Sequence, residues 1–341
     1  VDPDGYAPAI AAAVERPHVE ERVITEPSVS QPASGPADDG LALPYDFGAR
    51  YGDGLGLGVA LGGGGVYFVA WQVSYLYELA ARGIDLGGAD RVVGTSAGSL
   101  VAAMLEHGRL GLLHHELSVL SRVPKLLGAL APAGDLAPSQ QRAVDEFRAA
   151  VDADPGTIRG IGRAALAART PAPGVMARNL ALILASRRWP SPELRITCVD
   201  AYTGERCVVT NASKIGIART VAASSAVPGL FAPQPVGDRR CMDGGVSGTG
   251  THLDLLAGAR RVVVLSLTDG SDVVDAMMTI GPGSIEREHA ALEESGSTMF
   301  LRVPETVDID TLMDPKAVPD AIEMGRRQAA ADVDELRSFL A

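Results

Sequence analysis

One unit occurs twice within residues 56–107: a short apolar run, a glycine turn, then a helical pattern. In the first copy GLGVAL (Gly56–Leu61) leads into Gly62–Gly65. Val66–Ile84 follows, with apolar residues at 66, 69, 73, 76, 77 and 80. That spacing is helical. In the second copy RVVGTSAG (Arg91–Gly98) is a strand running into a turn, and SLVAAMLEH (Ser99–His107) is its helix. A helix between two short buried strands brings the chain back to the end where the first strand began. The strands then pair in parallel, with right-handed crossovers. The expected fold class is therefore α/β, built on a mostly parallel sheet.

The rest of the chain extends this frame. Residues 108–190 carry helical patterns punctuated by Pro124, Pro132, Pro138, Pro155, Pro171 and Pro173, and read as a helical insertion. Glu193–Asn211 reads as a hairpin turning at Thr203–Gly204. Ala259–Asp269 is a buried strand, and Val318–Leu340 a closing helix. Order is expected from near Gly54, and the body is assigned to residues 49–341. Residues 1–48 are rich in Pro, Ala, Ser, Glu and Asp, and are expected to form an extended or disordered arm, with one short helix near Ala9–Glu15.

Charge and composition narrow the function. The net charge is −12, and residues 1–46 hold nine acidic side chains against two basic ones, so much of the acidity belongs to the arm. With aromatics at only 4%, neither a basic phosphate-binding face nor a base-stacking surface is expected, and no nucleic-acid partner. Cys198, Cys207 and Cys241 fit neither a disulfide framework nor a zinc spacing. His114-His115 are neighbours that a helix would turn apart, so no metal or other cofactor is expected. There is no run of 18 apolar residues and no signal-like segment, and a reducing, cytoplasmic setting is the expectation.

Three motifs could carry chemistry. Gly94-Thr95-Ser96-Ala97-Gly98 is a G-x-S-x-G between strand and helix. A serine on such a turn is either a raised nucleophile or an ordinary glycine-flanked helix cap. Gly62–Gly65 can aim several N–H groups at one point, as a phosphate site, an oxyanion hole or a plain tight turn. It lacks the Lys-Ser/Thr of a P-loop and the last glycine of a dinucleotide fingerprint. Asp243-Gly244-Gly245 is by itself a turn. If its strand neighbours that of Ser96, both side chains emerge at the carboxyl edge where α/β folds build sites.

Taken in order, LGGGGVY, VVGTSAGSLVAA, AASSAVPGLFAPQPV and DGG resemble the patatin-like phospholipase family over about Leu61 to Gly245. The resemblance implies a three-layer α/β/α sandwich and a serine acyl hydrolase acting on lipid or other carboxylic esters. It implies Ser96 as nucleophile, Asp243 as its partner without a histidine, and the N–H groups of Gly63, Gly64 and Gly65 as oxyanion hole. Ser224–Pro228 matches a stretch that packs beside the site. The implied partner is a lipid or ester substrate, with transient contact at a membrane or lipid aggregate.

Two departures stand out. Tyr67 and Phe68 occupy places where the family has a basic residue and glycine, which removes a positive charge beside the glycine loop. VSGTGTHLDLL follows Asp243-Gly244-Gly245 where the family often has Asn-x-Pro. Two rivals follow: an esterase with a Ser-Asp-His triad using His252 or His289, and a weakly active lipid-binding or interaction protein. The leucine-rich run from Leu110 to Leu130, broken at Pro124, reads as a helix packed on the core or as a cap meeting acyl chains.

Overall fold

The computed structural model describes residues 41–120, 136–270, 280–281 and 283–341. Residues 1–40 lie outside these, as do Val123–Leu130 of the leucine-rich run. Eight strands make one sheet: β1 (Leu57–Leu61), β2 (Arg91–Gly94), β3 (Leu194–Asp200), β4 (Arg206–Val209), β5 (Gln234–Val236), β6 (Arg239–Asp243), β7 (Arg261–Leu265) and β8 (Thr298–Arg302). The path through it runs β5-β6-β3-β2-β1-β7-β8, with β4 pairing β3. From β3 to β8 neighbours are parallel, whereas β4 and β6 lie antiparallel to β3.

The pairing at β3 decides where the site forms. Ile196 pairs with Gly94 of β2 and with Val209 of β4. Two residues on, Cys198 pairs with Asp243 of β6 and with Cys207 of β4. A strand has only two flanks, so β2 and β6 share one and β4 takes the other. β6 occupies the flank of β3 that β2 leaves when it turns away after Gly94.

The period of two along the strands sorts the core into layers. Val59, Leu61, Val92, Val263 and Leu265 face α1 (Gly65–Ala81), α2 (Ala97–Glu106) and the closing helix Val318–Leu340. Ala60, Val93, Val262 and Val264 face the short 3-10 turn Leu253–Leu256 and the helix Ser284–Glu294. With both faces covered, the apolar runs seen in the sequence are the strands of an α/β/α sandwich.

α1 is buried along most of its length. Phe68, Trp71 and Tyr75 stack along it, with centroids 5.2 and 5.3 Å apart. Trp71 donates to Gln328 (2.8 Å) and Tyr75 to Asp332 (2.8 Å) on the closing helix, so the polar ends of both buried aromatics are satisfied.

Between α2 and β3 the described residues form α3 (Leu110–Leu120), α4 (Pro138–Arg148), α5 (Pro155–Ala167) and α6 (Pro173–Leu184). Pro138, Pro155 and Pro173 start their helices, where a missing N–H costs nothing. α3 turns Leu110, Leu113 and Leu117 into the core and leaves Leu112 exposed. The described chain is packed well before Gly54: Leu41 is buried, Ala42 bridges Cys207, and Leu43 donates to the carbonyl of Arg206 (3.1 Å). We label the two remaining helices α7 (Ile217–Ser224) and α8 (Ser284–Glu294), and the closing helix α9.

Candidate active site

Ser96 ends the turn from β2 and caps α2. Its backbone sits at φ 51°, ψ −120°, a conformation strongly disfavoured for a residue with a Cβ. The surroundings hold it there. Its N–H donates to Ser224 Oγ (2.8 Å), and its carbonyl accepts from the hydroxyls of Ser99 (2.6 Å) and Ser225 (3.1 Å). Gly98 lets α2 press on β1: a Cβ there would lie 2.0 Å from the carbonyl oxygen of Leu61. The segment Ser224–Pro228 thus packs beside the turn, and its Ala226 carbonyl also accepts the N–H of Asp243 (3.0 Å).

Asp243 comes to the same point from β6. It pairs with Cys198, so its side chain projects on the face covered by α2 and α7. Ser96 Oγ donates to Asp243 Oδ2 at 2.6 Å, and the N–H of Gly245 donates to Oδ1 at 2.9 Å. Burial raises the Asp243 carboxyl to about 6, against the opposing pull of the bonds from Ser96 and Gly245.

The glycine loop lies above this pair. A Cβ on Gly63 would stand 3.0 Å from the Cβ of Ser96, so the loop backbone touches the serine directly. Gly62 is tied down, its N–H to Leu265 and its carbonyl to Gln72 and Gly98. Among the described residues, the N–H groups of Gly63, Gly64 and Gly65 meet no acceptor. Together with Ser96 and Asp243 they border one cavity. Phe147, Val227, Leu230, Thr249–Thr251, Leu312 and Met313 also line it. Among the described residues, Asp243 is the only ionisable side chain on the lining.

The two departures have structural explanations. Tyr67 donates its N–H to Leu312 (3.1 Å) and its hydroxyl to the carbonyl of Thr306 (2.9 Å), which moors the Leu312–Met313 wall. Phe68 is fully buried under the glycine loop and stacked on Trp71. Beyond Asp243, the segment Gly248–Leu253 is held by the buried Glu288 on α8. Glu288 accepts from the hydroxyls of Thr249 and Thr251 (2.6 Å) and from the N–H of Leu253 (2.7 Å). Sequence reasoning missed Glu288, Leu312 and Met313, which lie far along the chain and carry no motif.

Neither His252 nor His289 lines the cavity. His252 caps the 3-10 turn after the site, its Nε2 against the Gly244 carbonyl (3.2 Å) and its Nδ1 facing Arg206 (3.4 Å). Burial first, then the Arg206 guanidinium, lower it to about 3, so it is neutral at physiological pH. Arg206 itself makes a buried two-pronged pair with Asp254 (2.6 and 2.7 Å). No residue of α3 lines the cavity either.

The patatin-like phospholipase model matches residues 59–255, more than half of the chain, and runs from β1 through the segment after Asp243. The chain belongs to the patatin-like phospholipase family. Family membership implies hydrolysis of lipid acyl esters. Among solved structures, the chain resembles VipD from Legionella pneumophila at 14% identity and a TM-score of 0.37, over 82% of this chain and 67% of that one. It resembles the type III effector protein ExoU at 17% identity and a TM-score of 0.29, over 80% of this chain and 53% of that one, so it spans about half of ExoU. No curated protein matches. No helix among the described residues of this patatin-like chain is long and apolar enough to cross a membrane.

Proposed function

We propose that this chain is a serine acyl hydrolase of lipid and other carboxylic esters. Ser96 is the nucleophile and Asp243 its base. The amides of Gly63, Gly64 and Gly65 form the oxyanion hole. The observation that carries the reading is the 2.6 Å hydrogen bond from Ser96 Oγ to a buried carboxylate, beneath three N–H groups with no acceptor among the described residues.

The chemistry follows from that geometry. Ser96 Oγ attacks the ester carbonyl while Asp243 accepts its proton. The negative oxygen of the tetrahedral adduct is met by the glycine amides, each such donor supplying about 10²–10³ in rate. The adduct collapses, the alcohol leaves with the proton from Asp243, and water repeats the sequence to release the acid. A carboxyl near 6 is mostly ionised at pH 7 and is a stronger base than an ordinary aspartate.

The lining supports an uncharged ester as substrate. Phe147, Val227, Leu230, Leu312 and Met313 offer apolar surface to an acyl chain. A phosphate drawn into the cavity would find no cation among the described lining residues and would face Asp243. Three buried cysteines, none in a disulfide, support a reducing, cytoplasmic setting, with lipid aggregates or membranes met only transiently.

A fluorophosphonate probe and a series of esters of increasing acyl length test the proposal on wild type and Ser96→Ala. Labelling and turnover are expected in wild type only. Labelling that survives in Ser96→Ala overturns it.

A further inference from the structure

Away from the cavity, the sheet gathers all three cysteines of the chain. Cys198 and Cys207 are direct partners across β3 and β4, and Cys241 on β6 pairs with Asp200, two residues along from Cys198. Pairing and the period of two put the three side chains on one face. Their Sγ atoms lie within 4.8 Å of one another, and none is exposed to solvent. In sequence these residues match no metal spacing, because the register of three strands and not a local motif brings them together.

The geometry points to a binding site for one trivalent thiophilic ion, of the arsenite class, held by the three sulfurs of Cys198, Cys207 and Cys241. Distance is the first argument. Three bonds of about 2.3 Å from sulfur to a trivalent ion, pyramidal because of its lone pair, set the sulfurs about 3.5 Å apart, so side-chain rotations of the order of an ångström close the observed triangle onto an ion. Charge is the second. The apolar neighbours are Leu41, Val209, Val236 and Ala223, with Trp189 and Ile215 at the border, and the buried acidic residues Asp243 and Asp200 stand across from Cys198 and Cys241, so the site does not favour a further negative charge. Three thiolates around a monovalent or divalent ion leave a net negative charge buried beside two acidic side chains, which is strongly unfavourable. Around a trivalent ion the sum is zero.

The reaction balances without an oxidant. Arsenous acid, As(OH)3, exchanges three As–O bonds for three As–S bonds. Each thiol proton leaves with a hydroxide as water, three waters in all, and arsenic remains trivalent. Leu41 covers the cluster beside the edge strand β4, to which Ala42 is bridged, so separation of this short segment opens a route in. Once bound, the ion ties together β3, β4 and β6, the strand that ends in Asp243.

The test uses the reduced full chain, sodium arsenite as the probe, and native mass spectrometry. The expected result is one arsenic per folded chain with the mass loss of three waters. An adduct one water heavier means that one arsenic hydroxyl is retained and only two sulfurs are bound, and it overturns the site, as does no adduct at all. Zinc displacing arsenic at equal concentration overturns the charge argument. Cys207→Ala and Cys241→Ala are each expected to bind about tenfold more weakly or worse, a loss of about 1.4 kcal/mol. The mass measurement on wild type decides the matter even where a variant fails to fold.

Discussion

Asp243 stands directly across from Cys198 on the same flank of β3 where, two residues earlier, Gly94 stands across from Ile196. One strand ends and the other takes its place, so the turn carrying Ser96 leaves the sheet beside the spot where Asp243 arrives. The 2.6 Å bond between them therefore rests on strand pairing, with the turn at Ser96 held by Ser224, Ser99 and Ser225. The fit explains how residues 147 positions apart can be held at hydrogen-bond distance in a buried setting.

The pH dependence of turnover follows from the burial of Asp243. Its carboxyl is raised to about 6, and in the proposed mechanism only its ionised form accepts the serine proton. kcat/KM for an uncharged ester is expected to rise tenfold per pH unit below 6 and to level off above about pH 7. Asp243→Asn should remove this limb together with a factor of about 10²–10⁴ in rate. A pH–rate profile checks both, and a limb that persists in the variant assigns the titration to another group.

The same burial makes Asp243 a liability for folding. Its folded value, about 6, lies above its unfolded value, so the folded state holds the extra proton between pH 4 and 6. The contribution is neutral below both values and grows unfavourable as pH rises through 6, reaching about 3 kcal/mol. Asp243→Asn is free of it. Urea denaturation at pH 4 and pH 7 should therefore show the variant gaining on wild type by about 1–3 kcal/mol at the higher pH, part being offset by the altered bond to Ser96.

The sequence carried the sheet more readily than the site's walls. Val92-Val93 and Val262–Leu265 are covered on both faces, and their apolar runs identify them as inner strands. Pro138, Pro155 and Pro173 were legible as punctuation, and they turn out to begin helices. Ser96, Asp243 and the glycine loop could be paired in advance only through family-like order. What stayed hidden depends on long-range register. Nothing in the run of residues places Glu288 under Thr249 and Thr251, or Leu312 against Tyr67. The convergence of three cysteines required the same pairing of β3 with two antiparallel partners.

Strain at Ser96 gives a second trade of stability for activity. At φ 51° and ψ −120° a Cβ is unfavourable and a glycine is not. Ser96→Gly and Ser96→Ala both lose the hydroxyl, so both should be inactive. The glycine variant should be the more stable of the two by about 1 kcal/mol, the relief of strain exceeding the added chain entropy. Parallel thermal melts measure the gap, and a more stable alanine variant argues that the turn is unstrained.

Glu288 should matter to turnover without touching substrate. Its carboxylate accepts two hydroxyls and one N–H from the segment that walls the cavity, and burial raises its pKa. Glu288→Ala leaves those donors unsatisfied and is expected to cost about 2–4 kcal/mol. Glu288→Gln keeps one acceptor oxygen and should fold, yet its amide faces donors, so the Thr249–Thr251 wall shifts. For the Glu288→Gln variant an increase in KM larger than the loss in kcat is expected, read from the full ester series. Unchanged kinetics would show that the wall is held by other contacts.

His252 separates the dyad from a triad. Its ring nitrogens face the Gly244 carbonyl and Arg206 and not Ser96, and a pKa lowered to about 3 makes it a far weaker base than an ordinary imidazole. It occupies the left-handed region at φ 51°, which asparagine tolerates better than other side chains, making His252→Asn the least disruptive replacement. Turnover by that variant, and by His289→Ala, is expected to stay within about tenfold of wild type, any loss tracking stability. Removing the general base of a serine triad lowers kcat by about 10⁴ or more. A loss of that size in a variant whose melting is unaltered would transfer the base from Asp243 to the histidine and overturn the two-residue mechanism.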